Sequence, residues 1–239
     1  MIKEALQYLI SLGNVETKNV AGQTFSTQPL HLIKQPTPAP IVVRSLSGMV
    51  EYLKSEFDEL VDNERTLMVH VESPTDAVVF STFNNDMVRD TLIQAKALLP
   101  EYRYGNWYDA EEFNIKLQSV FVPNDDRATM LKVVGNIKDE NVATFGDDGV
   151  SQQVTAKAGV ATLANVPVPN PVLLKPYRTF VEVPQPESEF VFRMKTGPSC
   201  ALFEADGGAW KVEAMDNVRV YLEKELNDQI QAQKIIIIA

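Results

Sequence analysis

The chain of 239 residues carries 22 basic and 32 acidic side chains, a formal charge of −10, one cysteine and two histidines. One cysteine excludes an intrachain disulfide and any multi-thiolate zinc or iron–sulfur centre, and two histidines exclude a three-histidine metal site. The acidic balance argues against a general nucleic-acid coat, which needs surplus Lys and Arg to displace counterions, while 45% apolar and 23% charged residues mark a folded globular protein.

Residues 1–12 place Ile2, Ala5, Leu6, Leu9, Ile10 and Leu12 at helical spacing, and Gly13-Asn14 supplies the stop. Residues 15–20 and 23–33 flank Ala21-Gly22 and read as a hairpin. Pro36, Pro38 and Pro40 then make a semi-rigid connector, because closely spaced prolines remove backbone donors and favour extended chain. Residues 41–44 form a short strand. Ser45 caps a helix whose apolar stripe is Leu46, Met49, Val50, Leu53, Phe57, Leu60 and Val61, the best amphipathic pattern in the chain.

Residues 67–72 and 77–82 are strands joined by the turn Ser73-Pro74-Thr75-Asp76. Residues 91–98 read as a strand over a helix, with Leu92 and Leu98 spoiling the alternation. Asp109 followed by Glu112 resembles a capping box, and the helix behind it presents Phe113, Leu117, Val120 and Phe121. Pro123-Asn124-Asp125 restarts the chain into a second helix with Met130, Val133, Val134 and Ile137.

After residue 140 Gly, Pro, Val and Thr rise and helical periodicity disappears. Strands are expected at 153–160, 172–175, 178–183, 190–195, 201–205 and 210–213, with six prolines between Pro167 and Pro186 confining that stretch to edges and turns. Helix returns over 215–230, with Val218, Leu222, Leu226 and Ile230 on one face. The expected fold is α+β: a mixed region over 1–140 packed with a proline-rich antiparallel β region over 141–239, which ends in a helix and a terminal strand. One compact domain is the alternative division.

Catalytic signatures are weak. Neither G-x-x-x-x-G-K-[ST] nor G-x-G-x-x-G occurs, and Gly207-Gly208 before Trp210 reads as a hairpin turn. His31 and His70 alternate with apolar neighbours and have no second ligand at i+2 to i+4. The acidic pairs Glu111-Glu112, Asp125-Asp126 and Asp147-Asp148 read as solvated or as helix caps, since adjacent helical residues point about 100° apart. Ser199-Cys200 lacks the G-x-S-x-G elbow, so Cys200 reads as a small buried hydrophobe. No catalytic residue, cofactor or metal is predicted, and the chain reads as a non-enzyme.

Two segments stand out. Tyr102, Arg103, Tyr104, Trp107 and Tyr108 are the residue types of interface hot spots and of base-stacking grooves, and a local core is the competing destination. Ile235, Ile236, Ile237 and Ile238 are β-branched throughout and favour a strand apolar on both faces. Leaving four isoleucines in water forfeits on the order of 6–12 kcal/mol, so the strand must be buried. A sheet of its own chain or of a neighbouring subunit would do this, and oligomeric burial is slightly favoured. No apolar run approaches the roughly 20 residues of a membrane span, and no signal-peptide pattern begins the chain.

The strings Glu111-Glu112-Phe113-Asn114-Ile115-Lys116-Leu117-Gln118-Ser119 and Asp148-Gly149-Val150-Ser151-Gln152-Gln153-Val154-Thr155-Ala156-Lys157-Ala158-Gly159 look distinctive. So do Pro176-Tyr177-Arg178-Thr179-Phe180, Gln185-Pro186-Glu187-Ser188-Glu189-Phe190 and the run from Ala201 to Trp210. With these the chain resembles the YfdQ-like family of bacteriophage and prophage proteins over most of its length. The resemblance implies a non-structural phage protein of the host cytoplasm, often encoded near replication and recombination genes, and carries over no catalytic residues. The expectation is a phage-encoded, non-enzymatic homo-oligomer, a ring or cage, with itself as first partner. The alternatives are an accessory factor for phage DNA replication or recombination that binds single-stranded DNA, and an inhibitor of a host defence protein.

Overall fold

The computed structural model describes residues 2–13, 17–20, 23–26, 37, 39–55, 66–84, 87–135, 142–147, 152–158, 161–162, 166–195 and 199–239. Residues 1–37 and 38–239 form two compact units. The first holds helix α1 (Ile2–Gly13) and strands β1 (Thr17–Val20) and β2 (Gln23–Ser26), paired antiparallel with Val20 opposite Gln23. The hairpin around Ala21-Gly22 therefore forms. In α1 the apolar residues Ile2, Leu6, Leu9 and Ile10 are all at least 54% exposed. The predicted strand beyond Ser26, with His31, and the connector prolines Pro36 and Pro38 lie outside the described residues.

The second unit begins with β3 (Ile41–Val43), α2 (Leu46–Ser55), β4 (Leu67–Ser73), β5 (Asp76–Phe83) and β6 (Arg89–Lys96). Ser45 Oγ accepts the Gly48 amide at 3.1 Å, as an N-cap does. Leu46, Met49, Val50 and Leu53 are buried along α2, while Phe57, Leu60 and Val61 lie outside the described residues. β6 is a strand, and its broken alternation has a cause. Val79 pairs with Ile93 but Phe80 pairs with Thr91, so Leu92 sits at a bulge. Leu92 thereby packs against the same core as Ile93 and Ala95.

Next come β7 (Tyr108–Asp109), α3 (Ala110–Val120), β8 (Phe121–Val122) and α4 (Asp125–Gly135). Asp109 Oδ1 accepts the Glu112 amide at 2.7 Å and caps α3. Phe121 leaves the helix and enters the core from β8. Then follow β9 (Val142–Asp147), β10 (Gln152–Ala158), β11 (Ala161–Thr162) and β12 (Val166–Val168), in which β10 pairs antiparallel with the other three. β9 and β12 carry no pattern that marks them in the sequence.

The chain closes with β13 (Val172–Pro176), β14 (Ser188–Lys195), β15 (Ser199–Glu204), α5 (Trp210–Glu225), α6 (Asn227–Gln231) and β16 (Ile235–Ile238). Two expected strands are corrected here. Trp210–Glu213 is the first turn of α5, because Ala214, Val218 and Leu222 repeat at i+4 and bury together. Gly207-Gly208 is accordingly not a hairpin turn: both residues adopt positive φ, +63° and +84°, to turn strand β15 into that helix. Residues 178–183 form a strap of turns rather than a strand.

Two five-stranded sheets organise this unit, in the orders β16-β4-β5-β6-β3 and β7-β15-β14-β13-β8. Helices α2 and α5 pack on the first, with Val69, Val79, Ile93, Val218, Leu222 and Ile235 in its core. Helices α3 and α4 pack on the second, with Phe113, Leu117, Met130, Phe190 and Phe192 in its core. Both cores draw residues from either side of position 140, so the composition boundary there does not divide the packing.

The strap between β13 and β14 ties the cores together. Phe180 and Val183 insert beside α2 and α5, and Glu182 Oε1 accepts the Leu46 and Ser47 amides at 2.9 and 3.3 Å, completing the cap of α2. Gln185 holds the turn shut: its Oε1 accepts the Arg178 amide at 2.9 Å and its Nε2 donates to the Phe180 carbonyl at 2.9 Å.

Candidate self-association edge

The isoleucine strand lies where its β-branched composition requires, in a sheet. It belongs to the sheet of its own chain: β16 runs parallel to β4, with Ile235 opposite Leu67 and Ile238 opposite His70. The intersubunit pairing favoured from the sequence is corrected to this extent. A parallel pair cannot be joined by a tight turn: the chain leaves β4, builds the second sheet, and returns to β16 through α5, which packs on the first sheet, and α6. The Leu67 amide donates to the Lys234 carbonyl at 2.8 Å and Thr66 Oγ1 to the Gln233 carbonyl at 3.0 Å, so the strand is anchored at its start.

Only one face of β16 is satisfied. Ile235 is 3% exposed and Ile237 packs on the same core, whereas Ile236 and Ile238 remain 51% and 42% exposed on the other face. β16 is also the outermost strand of the sheet, so among the described residues no strand pairs with its second edge. Beside that edge runs an open groove of about 640 Å³ lined by Glu223, Asn227, Ile230, Ile235, Ile236 and Ile237, among others. A flat apolar edge with a groove alongside is the geometry that accepts an added strand.

The aromatic segment divides. Tyr102, Tyr104 and Tyr108 pack against the core of the second sheet. The Tyr102 ring lies 5.0 Å from Tyr104, 5.3 Å from Tyr108 and 5.2 Å from Phe121. Burial raises the pKa of both the Tyr102 and the Tyr104 hydroxyl. Arg103 is exposed and paired with Glu101 at 2.7 Å, and Trp107 is 40% exposed. The residues expected to act together thus serve two faces.

The remaining candidates take structural places. Asp126 Oδ2 accepts the Leu173 amide at 2.7 Å and Glu112 faces Lys116 at 3.8 Å; Asp148 lies outside the described residues. His70 sits on β4 with its ring 6.5 Å from Phe80. Cys200 is fully buried, and burial pushes its thiol up to about 12, far from a reactive thiolate. Among the described residues no three His, Cys, Asp or Glu side chains come together as metal ligands, and no helix is long and apolar enough to cross a membrane. Compared with protein-family models, with curated proteins and with solved structures, the chain matches none.

Sequence reasoning missed Arg178, which organises the polar interior. Its Nη1 donates to Glu204 Oε1 at 2.9 Å, its Nη2 to Ser188 Oγ, and its guanidinium lies 4.0 Å from the Trp210 ring centre. A basic residue among prolines has no periodicity to announce it. The signal was the strap itself, three prolines around a single Arg-Thr-Phe string.

Proposed function

We propose that the chain is a non-enzymatic, self-associating protein whose subunits join through the free edge of β16. The observation that carries this reading is the half-satisfied strand: Ile236 and Ile238 stay exposed beside a backbone edge with which no strand pairs among the described residues. A second copy is its natural complement. A two-fold axis perpendicular to the sheet would set two β16 strands antiparallel, with Ile236 facing its own copy and the outward faces kept on one side. The apolar stripe exposed on α1 offers further contact area for closing a ring or cage.

The resemblance drawn from its sequence supports extending the proposal to a phage-encoded protein that assembles in the cytoplasm of the infected host. Light scattering after size exclusion tests it. The wild-type mass should be a multiple of the subunit's and depend on concentration. Ile236→Lys should return the monomer with the fold intact, because the side chain faces solvent and a charge on an edge strand blocks pairing. A wild-type monomer at high concentration overturns the reading.

A further inference from the structure

The second sheet has an outer face, turned away from α3 and α4. Alternation along β14 sends Phe190, Phe192 and Met194 into the core, so Val191, Arg193 and Lys195 lie outside. On β15, Cys200 and Leu202 point inward and Phe203 outward, 37% exposed. Tyr108 pairs with Cys200, which brings the preceding Trp107 alongside Ala201, and Ala201 in turn pairs with Arg193. A left-handed Gly105, φ +79°, makes the turn that returns the chain to this edge.

The result is a row of rings and cations drawn from three strands. Trp107 meets Phe203 edge-on, with centroids 6.4 Å apart, and Lys195 Nζ stands 4.4 Å from the Trp107 ring centre. Neighbouring strands lie about 4.8 Å apart, so Arg193 is roughly 10 Å across the small Ala201 from Trp107. Among the described residues neither Arg193 nor Lys195 has a carboxylate within ion-pair distance. The Arg193 guanidinium donates to the Phe192 carbonyl at 3.1 Å. Asp109 and Glu189 flank the row at its two ends.

We propose that this face binds a single-stranded polynucleotide, with Trp107 and Phe203 stacking on bases and Arg193 and Lys195 holding phosphates. Half-exposed aromatic rings beside cations that have no carboxylate partner among the described residues match what a single strand offers, a π-face next to a negative charge at each nucleotide. A duplex hides its bases and presents phosphates on both strands. The flanking Asp109 and Glu189, in a chain of charge −10, oppose such a broad anionic surface.

Fluorescence anisotropy at low salt, with labelled thymidine and uridine oligonucleotides of equal length and a duplex control, tests the proposal on the full chain. Single strands should bind more tightly than the duplex, and a preference between the two oligomers assigns DNA or RNA. Two phosphate contacts predict a log–log salt slope of about −1.4, which Lys195→Gln should reduce by about 0.7. Trp107→Ala should weaken binding about tenfold. Phe203→Leu provides a second variant with the fold checked by circular dichroism. No binding at low salt, binding indifferent to both ring substitutions, or an oligomer mass that falls in Trp107→Ala overturns it. None of these variants touches β16, so the test is separate from that of self-association.

Discussion

The guanidinium of Arg178 lies 4.0 Å from the centre of the Trp210 ring, joining the strap to the start of α5. Arg178 is 7% exposed, and burial pulls its pKa below the ordinary range while Tyr104, Glu204 and Asp206 oppose that pull. A planar, weakly hydrated cation tolerates this site because its fork reaches Glu204 and Ser188 while its face rests on the indole. Arg178→Met should cost roughly 2–4 kcal/mol, the sum expected of charged hydrogen bonds and a desolvated cation–π contact. Urea unfolding should show a lower midpoint at unchanged slope. Arg178→Lys should recover only part of the loss, and full recovery would mean that charge alone matters.

Cys200 sets an alkaline limit. Burial raises its thiol from 9.0 to about 12 in the folded chain. Between those pH values the unfolded chain gives up the proton and the folded chain keeps it, so the unfolded state binds fewer protons and stability falls as pH rises. The stabilisation is complete below about pH 9, and the slope approaches about 1.4 kcal/mol per pH unit above it. Cys200→Ala should flatten the fall between pH 9 and 10. Above that the raised Tyr102 and Tyr104 hydroxyls act in the same direction. Denaturation midpoints across pH 8–11 measure this, and a wild-type midpoint constant over that range would refute it.

Tyr102 and Tyr108 make a matched pair of opposite sign. The Tyr108 hydroxyl donates to the Arg103 carbonyl at 3.2 Å and accepts the Arg103 amide at 3.1 Å. The Tyr102 hydroxyl is buried without a partner among the described residues. Tyr102→Phe removes an unsatisfied group and should stabilise by about 1 kcal/mol, while Tyr108→Phe strands the Arg103 backbone and should cost about 1–2 kcal/mol. Thermal melting of the two variants decides the matter, and a loss on both would show that Tyr102 has a polar partner after all.

What the sequence could and could not reveal follows from the range of each interaction. The α2 stripe of Leu46, Met49, Val50 and Leu53 is legible because burial repeats every turn of one short segment. Trp210 misleads because a β-favouring aromatic and the 74% exposed Val212 obscure the i+4 series of Ala214, Val218 and Leu222. Residues 235–238 announce a strand through their branching, but the identity of β4 as its neighbour rests on pairing with residues 67–70, far up the chain. For the same reason the tyrosines of 102–108 cannot be told from Trp107 until β15 and β14 bring Phe203 and Lys195 beside it.

Gln233 controls how the isoleucine strand is presented. It adopts φ +58°, the left-handed region, just after α6. Its amide donates to the Ile230 carbonyl at 2.9 Å and the Lys234 amide donates to the Gln229 carbonyl at 2.9 Å. These two bonds form a Schellman cap, whose left-handed position favours glycine. A side chain there costs about 1–2 kcal/mol, and glycine gives back about 0.5–1 kcal/mol through its freer unfolded state. Gln233→Gly should therefore stabilise by about 0.5–1 kcal/mol, read as a higher urea midpoint. Gly208→Ala, at φ +84°, should move the midpoint the other way by about 1 kcal/mol. Because the cap aims the chain at Leu67, the glycine variant should leave the position of β16 and its open edge unchanged, and oligomer mass should stay as in the wild type. A lowered midpoint would show that the Gln233 side chain, which lines the groove beside β16, contributes more by packing there than its backbone loses.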